Sequence, residues 1–274
     1  MDVINRGSTA VVKRYGHGVV IKCPDRPSGH DNIDYPEIEK QILDILGPHP
    51  RIINFLGYSA EPIGLLFTEA NCGDLQRYLD SNNELIRETL RLKWRLQAAE
   101  AIAYLHSKGV IHSDLRPENF LLHIYNDNDG PELLLSDFGG SYYEKDGRII
   151  DGNHLPDAGF FNPTKPWIST EDTDIFALGS VFYTIMTGHW PYKLPGPFDS
   201  VKDQEQYEEK VNEQFTKRAF PPIEDLVGGD IIHECWTEKI DDARTIVSRH
   251  KSLIQKGEQE RRGLIGLAYK WLLK

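Results

Sequence analysis

The sequence has few cysteines and no apolar run long enough to cross a membrane. Its three cysteines, Cys23, Cys72 and Cys235, form no Cys-x-x-Cys pair, and so sparse a set suits a reducing compartment better than a disulfide scaffold. No stretch of about 18 apolar residues is present, which excludes a transmembrane helix. The first residues, MDVINRGSTAVV, lack an apolar run behind a basic flank, so no signal peptide is predicted. We therefore expect an intracellular, cytoplasmic protein.

Positive charge is also scarce. Lysine and arginine total 31 against 42 aspartate and glutamate residues, which gives a formal net charge of −11. An acidic surface repels phosphate backbones, so we expect no nucleic-acid binding, and basic peptide segments are the better partners. With 39% hydrophobic residues over 274 positions, the chain is long enough for one large domain or for two lobes around a cleft.

The first third of the chain predicts a small sheet with one helix. The β-branched run GVVIKCP (18–24) follows VVKRY (11–15) through a turn-rich GHG, which predicts a hairpin. A helix is predicted from about Pro36 to Gly47, because apolar residues recur there at helical spacing. Two further apolar runs predict strands, RIINFLGY (51–58) and IGLLFTE (63–69).

From residue 88 onward the pattern is mainly helical. Residues 172–188 are apolar on nearly all sides, which predicts a helix buried inside a lobe. Another helix is predicted over 89–109. The C-terminal residues 260–274 form a basic amphipathic pattern that predicts a helix docked on its own domain, with a membrane-surface helix as the alternative. Residues 139–169 are rich in Gly, Asp, Asn and Pro and are predicted to form a long functional loop.

Several short motifs follow one another in a recognisable order. They are VVIK (19–22), a helix containing Glu39, GLLFTEANCGDL (64–75), HSDLRPEN (112–119), SDFG (136–139) and DIFALG (174–179). Each motif alone carries little weight. Asp114 and Asn119, however, stand in the D-x-x-x-x-N relation of a kinase catalytic loop. Taken together, the motifs resemble the eukaryotic protein kinase family over essentially all 274 residues.

The resemblance implies an α+β, bilobal protein-kinase-like fold. A small β-rich N-lobe with one helix would span residues 1–69, and a larger, mainly helical C-lobe would span 70–274. The implied cofactors are ATP and Mg²⁺, bound between the lobes, and the implied reaction transfers the γ-phosphate to a Ser or Thr hydroxyl of a protein substrate. The Ser/Thr preference rests on RPEN after Asp114. Two alternatives remain open: a pseudokinase that binds nucleotide or acts as a scaffold, and a phosphotransferase for a small molecule.

The resemblance also assigns chemical roles, and each suits the chemistry of the residue. Asp114 would accept the proton of the substrate hydroxyl, while Lys22 would meet the α- and β-phosphates and Arg116 the γ-phosphate. Glu39, rather than Glu37, would hold Lys22 through an ion pair. The metal ligands would be the oxygen donors of Asn119 and Asp137, which suit a small hard cation. The nucleotide itself would lie against Gly7, Val12, Val20, Phe67, Thr68, Ala70 and Leu121.

The chain departs from the family pattern at three places. In NRGSTA (5–10) only Gly7 remains of the glycine-rich loop, with Asn5 and Ala10 at the outer positions. Ser113 replaces the arginine that in the family binds an activation-segment phosphate, so we expect activity without such a phosphate. At 162–164 the family's Ala-Pro-Glu is Asn-Pro-Thr, so the late Arg244, expected to be buried, needs Asp241 or Asp242 as its partner.

Asp174 opens the buried helix. By resemblance its carboxylate would hold the backbone of the catalytic loop, because a buried carboxylate requires hydrogen-bond donors. Asp also serves well as a plain N-cap, and this second role is compatible with the first.

Overall fold

The computed structural model describes residues 1–7, 9–25, 34–126 and 130–272, with side chains as far as residue 262. The N-terminal part is an antiparallel sheet with one helix, and the rest is mainly helical. The predicted bilobal α+β architecture is confirmed.

The sheet of the N-lobe has five antiparallel strands in the order β1-β2-β3-β5-β4. Its strands are β1 (Val3–Arg6), β2 (Ala10–Gly16), β3 (Val19–Pro24), β4 (Phe55–Ala60) and β5 (Ile63–Thr68). The predicted hairpin is β2–β3. Val12 lies opposite Lys22 across it, and Val20 lies opposite Phe67 on β5. Cross-strand pairing thus brings together residues that are far apart in sequence, at one edge of the lobe.

Helix α1 (Tyr35–Leu46) confirms the predicted helix and its start. Asp34 caps it by accepting a hydrogen bond from the Glu37 N–H at 3.1 Å, and Pro36 occupies the first turn, where its missing N–H costs nothing. The helix ends before Gly47, whose φ of 66° suits a residue without a side chain. Its buried face includes Glu39, a carboxylate placed among aliphatic residues.

Six helices of the described chain form the frame of the C-lobe. They are α2 (Leu75–Asn82), α3 (Glu88–Ser107), α4 (Glu171–Thr187), α5 (Val201–Thr216), α6 (Gly229–Trp236) and α7 (Ala243–Leu272). Helix α4 is buried without interruption from Thr173 to Ile185, as its apolar sequence predicts. Helix α7 continues through the predicted C-terminal helix, but the side chains beyond residue 262, to which the predicted docking applies, lie outside the described ones. Among the described helices, none combines the length and the apolar character needed to cross a bilayer.

Two strands lie inside the stretch that was predicted to be a long loop, so that prediction is wrong in part. β9 (Tyr142–Lys145) and β10 (Arg148–Asp151) form a hairpin, and β9 also pairs with β6 (Val110–Ile111) just before the catalytic loop. The turn contains Asp146 and Gly147 at φ of 52° and 78°. Asp-Gly between such runs is a strong hairpin signal, which the composition of the stretch obscured.

The start of the predicted strand 51–58 is also wrong. Strand β4 begins only at Phe55, and Ile52 instead forms an isolated bridge with Leu135. Leu135 belongs to a separate two-stranded ladder in the C-lobe, β7 (Phe120–His123) with β8 (Glu132–Leu135). The apolar run 51–58 therefore connects the lobes, because Ile52 pairs with the C-lobe ladder whereas Phe55 begins a strand of the N-lobe sheet.

Arg244 is not buried as expected. Its side chain is 79% exposed, and its Nε lies 3.3 Å from Asp242, one of the two partners predicted. The end of the activation segment, by resemblance residues 137–169, is held by other charges. Lys165 forms an ion pair with Glu238 at 2.8 Å, and Asn162 donates a hydrogen bond to the same carboxylate at 2.9 Å. The family's glutamate is missing here, and the acidic partner is Glu238, which lies more than seventy residues later in the sequence.

Gly179 should be intolerant of a side chain, because α4 and α6 meet there. A Cβ atom at this position would lie 2.8 Å from the Cβ of Cys235 and 3.3 Å from the carbonyl of Ile232. We expect Gly179→Ala to lower the free energy of unfolding by about 1 to 3 kcal/mol through overpacking. Urea unfolding measures this, with Gly16→Ala as control because residue 16 has open space. Equal stability of the two variants would contradict the packing described.

Candidate active site between the lobes

Two adjoining cavities lie between the lobes. The first, of about 250 Å³, has mostly apolar walls that include Val12 and Val20 above and Leu121 below. The second, of about 460 Å³, shares Lys22 and Asp137 with the first and extends toward the activation segment. The arrangement provides an apolar slot that leads to a charged chamber.

Lys22 is the charged centre of this site. Its Nζ lies 2.8 Å from Glu39 on α1 and 2.7 Å from Asp137, while its side chain is only 17% exposed. Burial lowers the pKa of Lys22, but the two carboxylates outweigh it and raise the pKa above its ordinary value. The ammonium is therefore permanently charged at physiological pH. It ties β3 to α1 and to the segment after β8.

Asp137 and Phe138 fix the start of the activation segment. Asp137 has a φ of 63°, which turns its carboxylate toward Lys22. Burial opposes the charged form of Asp137, but Lys22 prevails and lowers the pKa of the carboxyl. Phe138 is fully buried, and its N–H donates to Glu39 at 3.3 Å. Glu39 therefore joins Lys22 and the backbone of this segment. Glu37, the other glutamate weighed for this role, instead accepts a hydrogen bond from Gln41 on its own helix.

Asp114 and Asn119 form a pair in the catalytic loop. The Asn119 amide nitrogen donates to the Asp114 backbone carbonyl at 2.7 Å and to its Oδ2 at 2.9 Å. Because the amide nitrogen is used in this way, the amide oxygen is the atom left for a cation. The carboxylate of Asp137 lines the same cavity. A carboxylate and an amide oxygen are donors that fit Mg²⁺ shared with phosphate groups.

Asp174 holds the catalytic loop from below. Its fully buried carboxylate accepts from the N–H of Ser113 at 3.0 Å and from the N–H of His112 at 2.8 Å. His106 lies 3.0 Å from the same carboxylate. The N-cap of α4 is Thr170, with a reciprocal bond to Thr173, so the second role predicted for Asp174, that of a plain N-cap, is wrong.

Ser113 is fully buried and adopts a φ of 66°. Its hydroxyl donates to the hydroxyl of Ser169 at 2.8 Å, at the far end of the activation segment. Arg116, two residues after Asp114, has its guanidinium 2.5 Å from Asp157 and 4.0 Å from Asp114. Two residues of the catalytic loop thus contact the activation segment directly, without a phosphate.

The strand before the predicted glycine-rich loop is tied by side chains. Asn5 accepts a hydrogen bond from Arg77 on α2 at 3.0 Å, which links the lobes across the mouth of the first cavity. Arg6 forms an ion pair with Asp25 at the end of β3, at 2.5 Å. The Gly7 N–H donates to the Ala10 carbonyl at 2.9 Å and closes the turn. Ser8 lies outside the described residues. Polar tethers therefore stand where the family pattern has flexible glycines.

The backbone of residues 68–70, by resemblance the hinge that bonds the base, already makes some hydrogen bonds within the protein. The Thr68 N–H donates to Asn54 at 3.0 Å and the Glu69 N–H donates to Gly18 at 2.8 Å. Phe67, Thr68 and Ala70 all line the first cavity. The N–H groups of Thr68 and Glu69 are thus already used, and the N–H of Ala70 is the one that these two bonds leave for a ligand.

The comparisons with known proteins agree with this geometry. A family model described as Protein kinase domain matches residues 5–262. The chain belongs to the protein kinase family. It is 29% identical over 214 residues to serine/threonine-protein kinase PKH3 of Eremothecium gossypii, an overlap that covers 73% of this chain and 27% of that protein.

Two further relatives carry similar names. The match to the human phosphorylase b kinase gamma catalytic chain, liver/testis isoform, is 29% identical over 216 residues and covers 70% of this chain and 51% of that one. The match to a putative serine/threonine-protein kinase, L673, of Acanthamoeba polyphaga mimivirus is 40% identical over 107 residues, covering 37% and 18%. The chain spans about a quarter to a half of the length of the first two.

Three residues that line these cavities were not predicted from the sequence. His154 and Asp157 approach the catalytic loop from the activation segment, and nothing in their spacing marks them. Glu118, the Glu of RPEN, has a buried Oε2 without a hydrogen bond among the described residues, and burial raises its pKa to about 7. Only the folding of residues 139–169 onto the catalytic loop reveals them.

Asp174 should matter for the stability of this kinase domain, since its carboxylate satisfies two buried N–H groups. We expect Asp174→Asn to lower the free energy of unfolding by about 2 to 3 kcal/mol, because an amide nitrogen would face a donor. Denaturant unfolding measures it. Asp172→Asn, on the exposed first turn of the same helix, is the matched control and should change the value by less than about 0.5 kcal/mol. Similar losses in both variants would contradict the role assigned to Asp174.

Proposed function

We propose that the chain is an ATP-dependent protein serine/threonine kinase that uses Mg²⁺. One observation carries the proposal: Lys22 forms ion pairs with both Glu39 and Asp137, beside the Asp114–Asn119 pair. Phosphoryl transfer requires alignment and neutralisation of negative charge rather than covalent help from the protein. These five side chains supply one cation, several oxygen donors and a proton acceptor within one cleft. The names of the relatives also support the proposal.

The residues of the chain would divide the work as follows. Lys22 binds the α- and β-phosphates with a charge that its two carboxylate neighbours maintain. Asp137 and Asn119 hold Mg²⁺, which when bound neutralises charge on the phosphates. Arg116, whose guanidinium lies 4.0 Å from Asp114, would meet the γ-phosphate, because a guanidinium can bind phosphate oxygens bidentately.

Asp114 would orient the attacking hydroxyl and accept its proton. Asn119 already donates to its Oδ2, so Oδ1 is the oxygen directed to the substrate. A carboxylate fixed at one oxygen has little freedom to rotate, which keeps the other in place. Asp174 contributes indirectly, because it holds the backbone on the N-terminal side of Asp114.

The nucleotide base would occupy the apolar cavity. Val12 and Val20 cover it, Leu121 supports it, and Phe67 closes the back. The backbone around Thr68 and Ala70 would bond the edge of the base, and Gly7 would lie over the phosphates. Residues 5–10 contain one glycine. The hydrogen bond from Arg77 to Asn5 holds the start of this stretch.

The alternatives account for fewer of these features. A pseudokinase scaffold has no chemical need for all five charged and polar side chains of the cleft, and a small-molecule phosphotransferase is not supported by the relatives' names. The Ser/Thr preference rests on the RPEN sequence and on those names. The protein substrate is unidentified, and a basic segment suits the net charge of −11. Residence in the cytoplasm and absence of nucleic-acid binding stay predictions.

A transfer assay tests the function. The purified chain is incubated with labelled ATP, Mg²⁺ and a generic basic protein. We expect transfer by the parent and at least about a hundredfold loss in Asp114→Asn and Lys22→Ala, because each removes a group used in the transition state. Lys40→Ala is the control, since Lys40 pairs with Asp44 on the exposed side of α1.

The outcomes of this assay separate the alternatives. Nucleotide binding without transfer by the parent would favour the pseudokinase, and transfer to a metabolite but to no protein would favour the third function. Full activity of Asp114→Asn would show that another group accepts the proton.

The activity should not depend on a phosphate in the activation segment. Ser113 offers no charge for one, and the Ser113–Ser169 and Arg116–Asp157 contacts already hold the segment. Arg148 on β10 also donates to Gln41 on α1 at 2.9 Å. We expect treatment with a phosphatase, checked by mass spectrometry, to change the transfer rate by less than about twofold. A tenfold fall on removal of phosphate would contradict this expectation.

A further inference from the structure

His154 reaches the catalytic carboxylate from the activation segment. Its Nε2 lies 3.5 Å from Oδ1 of Asp114, within ion-pair distance. The approach is built into the backbone. Gly140 lies so close that a Cβ there would be 2.9 Å from the Cβ of His154, and Ser169 donates to the His154 carbonyl at 3.5 Å. The histidine is therefore held at its main chain while its ring faces the site.

The oxygen that His154 approaches is the one left for the substrate. Asn119 donates to Oδ2, whereas Oδ1 is buried and has no hydrogen bond among the described residues. A substrate hydroxyl has to come within about 3 Å of this oxygen to give up its proton. The His154 ring and the hydroxyl thus compete for the same atom.

The surroundings of His154 favour its charged form. Its contact with Asp114 raises the pKa of the imidazole above the ordinary value, Asp157 adds to this, and burial and Arg116 oppose it. Arg116 is itself paired with Asp157. The ring is thus positive over more of the near-neutral range than a free histidine, whose charge already changes there. Its side chain is 42% exposed, so it can turn toward solvent without opening the core.

We propose that His154 is a positioning residue that gates the catalytic base: the charged ring holds Oδ1 of Asp114, and the neutral ring releases it to the substrate. This inference rests on the proposed function. As pH rises through the pKa of His154, the ring loses its charge, its attraction to Asp114 weakens and the transfer becomes faster. The gate requires no phosphate and no partner protein.

Steady-state kinetics at saturating ATP test the gate. His154→Asn is neutral at every pH and too short to hold Oδ1, so the ratio of its kcat to that of the parent should be at least about threefold higher near pH 6 than near pH 8.5. His154→Lys keeps its charge, so its kcat should stay low at both pH values. His17→Asn is the control, because His17 lies on the exposed β2–β3 turn, and it should retain the pH profile of the parent.

A second measurement does not depend on turnover. The ring pKa of His154, followed by NMR in the parent and in Asp114→Asn, should fall when the carboxylate is replaced by an amide. An unchanged ring pKa would overturn the pairing, whatever the activity. Circular dichroism melting establishes that each variant is folded.

The two proposals fail in different ways. An active parent whose pH profile runs parallel to that of His154→Asn overturns the gate and leaves the kinase function intact. A parent that transfers no phosphate at any pH overturns both.

Discussion

The buried ammonium of Lys22 is the interaction on which the site depends. It joins a strand of the N-lobe to Glu39 on α1 and to Asp137 in the C-lobe, so three elements that are distant in sequence meet at one charge. A charge removed from water is costly unless partners surround it. The position of α1 is thereby coupled to that of the activation segment, since Glu39 also accepts the N–H of Phe138. Displacement of any one element would break at least one of these two ion pairs.

A second buried charge organises the catalytic loop from the opposite side. Asp174 lies on the most deeply buried helix of the C-lobe and presents its carboxylate to two N–H groups that no regular strand or helix satisfies. Ser113 can keep its left-handed backbone conformation because these hydrogen bonds compensate for the strain. Asp114 follows directly, so the geometry of the base derives from the core. Lys22 and Asp174 thus constrain the cleft from its two walls.

The activation segment illustrates how a missing charge can be replaced by contacts of a different kind. In place of an arginine that binds phosphate, Ser113 offers one hydroxyl to Ser169. Arg116 and Asp157 supply the charge pair, and His154 adds a titratable group beside the base. Hydroxyl pairs and internal ion pairs form without a modifying enzyme, whereas a phosphate has to be added and can be removed. The segment therefore has internal contacts that hold it without a phosphate, and one of them involves a titratable ring.

The sequence by itself determined the elements whose signals are local, together with the order of the catalytic motifs. Pro36 and the apolar spacing after it marked α1, and the continuous apolar run marked α4, because propensity and periodicity act over a few residues. Spacing alone placed Asp114 and Asn119 on one loop. Only the tertiary structure decided what long-range contacts control: the pairing of β9 with β6, the exposure of Arg244 and the approach of His154 to Asp114. These depend on how segments about thirty or more positions apart come together, and such separations leave no periodic signal in a single chain.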